Sequence, residues 1–335
     1  MSDLPLVTVL IPARNEEADI QRCLVAVLAQ DYPNDRMEIV VVDGGSTDGT
    51  VVCVGAALGE SDVSWRLLHN ADGTTPGNLN TGLRALGGEV VCRVDARSVI
   101  PPGYVRTCAT LLQSDPGLAV VGGAQAAIPR DDSAVAVGIA RALNNRWGMG
   151  GSPYRAGARS GPTDTVYLGA FRTAELRDEG GWDPAMLSNQ DFDLNRRMAR
   201  RGYVWFESTL EVGYLPRRRI TELARQYRRF GRWKVRYWRN TGDRPQRRQW
   251  ALIFGPPLVS VLGVAVLWAF HSPVLGVVAV GFGVMILAGV EALGADRPAS
   301  GPGGHLVAAT SLPVIGGSWW LGVVGEWMFG RRAGT

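Results

Sequence analysis

An α/β fold built on a mainly parallel sheet follows from three features of this 335-residue chain. Apolar runs recur near residues 8–11, 38–42 and 90–94, and each closes on a polar or turn-forming group: Pro12, Asp43 and Asp95. The runs are continuous rather than alternating, as in strands buried on both faces. Between them lie stretches with helical spacing, the rhythm that produces right-handed βαβ units.

Taken in order, the first strand leads to a helix over about 17–30, with Ile20, Leu24, Val27 and Leu28 on one side. Asp43-Gly44-Gly45-Ser46-Thr47-Asp48-Gly49-Thr50 reads as strand end, tight turn and helix cap. A helix over 50–58, a strand near 65–69, a helix near 77–86 and the 90–94 strand continue the alternation. Pro101-Pro102 opens a further helix to about 112, and 118–121 is a strand. Residues 129–162, rich in Gly, Ser and Arg, read as a long loop with helical pieces. Strand character returns over 164–171, followed by a helix over 191–201 and a strand over 203–206. No internal repeat is visible.

Composition divides the chain further. The net charge of +4 is local: residues 217–248 hold thirteen Arg or Lys against Glu222 and Asp243, and the remainder is net negative. Lys234 is the only lysine, so the arginines reflect a GC-rich bacterial genome more than a guanidinium requirement at each site. The four cysteines lack metal-type spacing and read as reduced core thiols of a cytosolic domain. The first apolar run is too short for a signal peptide, which leaves the catalytic part in the cytoplasm.

Residues 251–270 and 273–290 are uncharged and near the length that crosses a bilayer; 305–324 is a third such stretch, interrupted by Pro313, Gly316 and Gly317. Before them, Leu223, Tyr227, Phe230, Trp233 and Tyr237 recur at helical spacing among arginines, the pattern of a helix in the membrane interface. A nucleic-acid surface is the competing reading, disfavoured by the adjoining apolar span. The expected domains are 1–215, α/β and catalytic; 216–250, a basic interface helix and linker; and 251–330, a membrane region of two or three helices.

Singly, Glu16, Asp43 and Asp95 are ordinary turn or helix-end acids. Together, strand-end Pro12-Ala13-Arg14-Asn15-Glu16, Asp43 with its turn, Asp95 and the downstream Asn189-Gln190-Asp191 resemble the inverting family-2 glycosyltransferases of the GT-A fold over about residues 5–240. A closer likeness, to the succinoglycan-type membrane glycosyltransferases of exopolysaccharide assembly, rests on Arg93-Val94-Asp95-Ala96-Arg97-Ser98, on Gly151-Ser152-Pro153-Tyr154-Arg155 and on Gln226-Tyr227-Arg228-Arg229-Phe230-Gly231-Arg232.

That resemblance implies roles. Pro12, Arg14, Glu16, Asp43, Asn80 and Arg93 would bind the nucleotide of a nucleotide-diphosphate sugar. Asp95 would hold Mg²⁺ or Mn²⁺ against the diphosphate, with Arg97 standing where a second acid is usual. Asp191 would be the catalytic base, with Asp193 the runner-up. Arg97, Arg155, Gln190, Gln226 and Arg229 would bind the diphosphate or acceptor. Phe230 in place of the usual Trp leans towards single-sugar addition. The implied enzyme is a multi-pass protein of the bacterial inner membrane that transfers a sugar to a polyprenyl-linked acceptor. Its partners would be membrane lipids and other glycan-assembly proteins, with no nucleic acid. Competing readings are a polyprenyl-phosphate sugar synthase, a processive polysaccharide synthase and a catalytically silent scaffold that binds nucleotide or lipid.

Overall fold

The computed structural model describes residues 4–145, 159–246, 249–250, 252–254 and 301–330. The chain divides into two compact units, residues 1–126 with 157–215, and residues 127–156 with 216–335. The segment 127–156, expected within the first domain, groups instead with the second unit.

The first unit is organised by a nine-stranded sheet. β1 (Val7–Ala13) is flanked by β2 (Met37–Asp43) and β4 (Val90–Arg93), with β3 (Ser64–His69) outside β2 at one edge of the sheet. These four are parallel, with Ala13 opposite Asp43 and Leu10 opposite Arg93. All seven residues of β2 are buried, as continuous apolar runs require. Beyond β4 the sheet changes character: β8 (Tyr167–Arg172) runs antiparallel to both β4 and β6 (Leu118–Ala127). β9 (Tyr203–Tyr214) pairs antiparallel with β5 (Ser98–Val99) and β7 (Gly161–Thr163).

Helices α1 (Ile20–Leu28), α2 (Thr50–Leu58), α3 (Thr75–Ala85) and α4 (Tyr104–Ser114) follow the first strands, and α5 (Ala134–Asn144) falls within the expected loop. α1 buries Ile20, Cys23, Leu24 and Val27 against the core. α3 starts where Thr74 accepts a hydrogen bond from the Gly77 amide at 3.2 Å, with Pro76 in the first turn, so its first unpaired amides are met locally. After α6 (Thr173–Asp178), α7 (Gln190–Met198) begins behind Asn189, whose φ of +62° turns the chain sharply into the helix. Asn tolerates that left-handed region better than most residues.

The second unit contains α5, α8 (Ile220–Thr241) and α9 (Gly301–Phe329). α9 is one continuous helix through Pro313, Gly316 and Gly317, where the sequence suggested a break. It is the one helix among the described residues long and apolar enough to cross a membrane. Apart from residues 252–254, the expected spans at 251–270 and 273–290 lie outside the described residues. α8 and α9 approach through glycine: a Cβ on Gly231 would collide with the Trp319 carbonyl, and one on Gly322 with that of Arg228. Arg236 Nε pairs with Glu326 Oε1 at 2.9 Å, and Arg239 donates to the carbonyls of Glu326 and Trp327 at the end of α9. A cation there complements the helix dipole.

This packing corrects one expectation. The aromatic stripe of α8 is not all presented outward: Leu223, Tyr227, Gly231, Lys234, Val235, Tyr237 and Trp238 are buried within the unit, and Phe230 and Trp233 are half-buried. α9 supplies an apolar partner surface, so the stripe meets protein. The exposed face of α8 carries Arg225, Arg228, Arg229, Arg232, Arg236 and Arg239.

Candidate functional site

The carboxyl ends of β1, β2 and β4 share one edge of the sheet, the edge at which open α/β sheets bind ligands. Two strand-end loops interlock there. Asn15, at φ +53°, donates its amide to Ser46 Oγ at 2.9 Å and accepts from the Thr47 amide at 2.8 Å. The Glu16 amide reaches Thr50 Oγ1 at 2.8 Å, and Glu17 accepts from the Gly49 amide at 3.0 Å. None of these cross-loop partners was identified from the sequence, although Asp43–Thr50 carried the turn and cap signals.

Asp43 is buried, and its carboxylate accepts from the amides of Gly45 and Ser46, each at 3.1 Å to Oδ2. His69 Nδ1 lies 3.4 Å away. This acid first of all shapes its own turn. Pro12 is half-buried at the end of β1, opposite Val42. Arg14 is exposed and donates to the Gly73 carbonyl at 3.0 Å.

Two residues expected at the donor site have other occupations. The Asn80 amide is engaged at both ends, donating to the Trp182 carbonyl at 2.6 Å and accepting from the Trp182 amide at 2.9 Å. It clips α3 to a segment 102 residues away instead of lying free for a nucleotide. Arg97, expected on a diphosphate, pairs through Nε with Glu16 Oε1 at 3.2 Å, while its Nη1 is buried with no hydrogen-bond partner among the described residues. Two residues from separate motifs thus form one ion pair.

The central feature is Arg93. Its side chain is only 4% exposed, yet it meets two carboxylates: Nε lies 2.9 Å from Asp95 Oδ1, and Nη1 contacts Asp191 Oδ1. β4 supplies Arg93, the turn after it supplies Asp95, and the first turn of α7 supplies Asp191. Asp95 is one-third exposed and Asp191 is 43% exposed, so both face solvent beyond the buried guanidinium. Asp193 differs. It is buried, and its carboxylate pairs with Arg197 Nε at 2.9 Å within α7. Arg197 also binds the carbonyls of Glu179 and Gly181. Gln190, half-buried, opens the same helix.

Nearby thiol chemistry is suppressed. Burial pushes the Cys23 thiol far above its usual range, and the Asp95 carboxylate adds to the effect. Cys23 donates instead to the Asp95 carbonyl at 3.5 Å. Among the described residues no three His, Cys, Asp or Glu side chains gather as a metal-binding group. Asp95 does fit a hard divalent cation held through one protein carboxylate, with ligand and water oxygens completing the shell. Gln226 and Arg229 lie on α8 in the second unit, and Arg155 is outside the described residues.

Comparisons agree with this architecture. Residues 8–160 match the pattern of Glycosyl transferase family 2. The chain is 28% identical over 335 residues to the succinoglycan biosynthesis protein ExoA of Rhizobium meliloti, covering 97% of this chain and 96% of that relative. It is 24% identical over 232 residues to a dolichyl N-acetyl-alpha-D-glucosaminyl phosphate diacetamido-dideoxy-glucuronosyltransferase of Methanococcus voltae, covering 67% of this chain and 71% of the relative. Among solved structures, the mannosyltransferase PcManGT of Pyrobaculum calidifontis, in complex with GDP-Man and Mn²⁺, is similar with a TM-score of 0.65 and 20% identity, over 99% of this chain and 89% of that one. At that identity the likeness speaks for the fold alone.

Proposed function

We propose that this chain, whose residues 8–160 match Glycosyl transferase family 2 and which is related to transferases of exopolysaccharide and lipid-linked glycans, moves one sugar, with inversion, from a nucleotide-diphosphate sugar to a polyprenyl-linked acceptor at a membrane surface. The observation that carries the chemistry is the convergence of Asp95 and Asp191 on Arg93 at the ligand-binding edge of the sheet.

Asp191 is the base in this reading. Its exposed carboxylate takes the proton of the acceptor hydroxyl while that oxygen attacks the anomeric carbon from the face opposite the diphosphate. Asp193 is unsuited to the task, because Arg197 occupies its carboxylate in a buried setting. The interlocked loops at residues 12–17 and 43–50 hold the nucleotide, with Arg14 and Glu16 at their rim. A divalent cation bound through Asp95 would offset the charge of the leaving diphosphate. Gln226 and Arg229 on α8 serve the acceptor.

Membrane attachment belongs to the second unit. Arginines on the outer face of α8 suit anionic headgroups, and exposed Trp250, Phe254, Trp327 and Phe329 suit the interfacial layer. The near end-to-end match with ExoA supports an exopolysaccharide or cell-envelope role.

The test incubates membranes containing the protein with labelled UDP- and GDP-sugars. Label in a lipid-linked oligosaccharide is the expected result. A lipid-phosphate sugar, a long polymer or no product would overturn the reading in favour of a lipid-phosphate synthase, a processive synthase or a silent scaffold, respectively.

A further inference from the structure

Arg93 lies in the sheet itself, its Cα opposite Leu10 of β1, and its guanidinium is withdrawn from solvent. A buried charge is retained only when it is paired. Here Nε serves Asp95 and Nη1 serves Asp191, carboxylates supplied by segments 96 positions apart in the chain. Arg suits such a bridge because its donors point in fixed directions from one rigid plane; an ammonium is a point charge that serves one partner well. The contact to Asp191 also ties β4 directly to the opening of α7. Asn189 turns the chain there, and Arg93 is the partner that reaches the Asp191 carboxylate from the sheet.

We propose that Arg93 is a positioning residue for the transfer reaction, which orients the Asp191 carboxylate relative to Asp95 and makes no contact with the nucleotide sugar. The proposal replaces the nucleotide-binding role suggested by the sequence, since a nucleotide would have to reach a 4%-exposed guanidinium whose Nε and Nη1 are already engaged. It rests on the reading of Asp191 as the base.

The test measures kcat and donor KM for the full chain in membranes, with the UDP- or GDP-sugar that turns over, for Arg93→Met, Arg93→Lys, Asp191→Asn and the double variant Arg93→Met/Asp191→Asn. Titration of UDP and GDP gives nucleotide affinity independently. Arg93→Met is expected to lower kcat at least tenfold with donor KM and nucleotide affinity within about twofold of the parent. The double variant is expected to be no slower than Asp191→Asn, because Arg93 acts through that carboxylate. Should Arg93→Met fail to fold, Arg93→Lys keeps the charge without the two-pronged reach, and the same pattern of lower kcat at unchanged KM is expected. A raised donor KM with unchanged kcat, or losses that multiply in the double variant, would overturn the proposal and leave the glycosyltransferase reading standing. Turnover by Asp191→Asn within tenfold of the parent brings down the base assignment instead.

Discussion

The two ends of the parallel sheet use the same chemistry for different purposes. At the amino end of β2, the largely buried Glu38 accepts from the Thr8 hydroxyl, from the Gly87 amide at 2.7 Å and from Arg66 Nη2 at 3.0 Å. Burial pushes this carboxyl up, but those donors outweigh it and hold the group below the usual glutamate range. Arg66 also caps the Ala85 carbonyl. At the carboxyl end, Asp95 and Asp191 each touch one prong of Arg93 and remain open to solvent. An acid surrounded by donors from several segments is a fastener. An acid held from one side and open on the other can accept a ligand or a proton. The roles follow from how completely each carboxylate is surrounded, not from the presence of an acid–arginine pair.

Substitutions at the two ends should therefore separate activity from stability. The largest effects belong to the carboxyl end. Asp191→Asn should stay folded, since Asp95 still pairs the buried Arg93, and lose about 100-fold or more in turnover, as expected for a missing general base. Asp95→Ala should be comparably impaired, and EDTA should abolish transfer with recovery on adding Mg²⁺ or Mn²⁺; a rate indifferent to EDTA would remove the cation from the scheme. At the amino end, Glu38→Gln should cost about 2 kcal/mol of stability at pH 7 while leaving kcat unchanged. Because folding lowers the Glu38 pKa, its stabilisation is present above the usual glutamate range and is lost as pH falls through and below it. The melting gap between parent and variant should accordingly close in acid; a gap that widens would refute the fastener role. The smallest effect is expected for Asp193→Asn, since Arg197 keeps its bonds to Glu179 and Gly181. About 1 kcal/mol of stability and a rate within threefold of the parent are expected. A dead Asp193 variant beside an active Asp191 variant would exchange their roles.

The second unit teaches a related lesson about surfaces. α8 has the composition of a helix lying on lipid, yet its aromatic side is largely used by the protein and its outer side is arginine. Gly231 and Gly322 explain how: lacking a Cβ, they bring two backbones together. An amphipathic pattern states that a helix has a dry face. It does not state what covers that face.

Much of the site was legible in residue order because its parts are local. Continuous apolar runs identified buried strands, and Pro12, Asp43 and Asp95 marked where each strand ends. Asp43 with Gly45 and Ser46 forms its turn within four residues, so spacing alone contained that geometry. The antiparallel half was less legible: β5 and β7 are two and three residues long, too short for any period to register.

What the chain determined by itself was the class of fold, the order of its first strands and the set of acids gathered at one edge, since burial on both faces and turn chemistry depend on neighbours in sequence. Only the tertiary structure decided which acids work together. Arg93 meets Asp191 across 98 positions, Glu16 meets Arg97 rather than standing alone, and Asn80 turns to Trp182. The Glu16–Arg97 pair depends on β1 lying beside β4, and the Arg93–Asp191 pair on the direction in which α7 leaves Asn189. A guanidinium has several donors and accepts whichever carboxylates the folded sheet brings within about 3 Å.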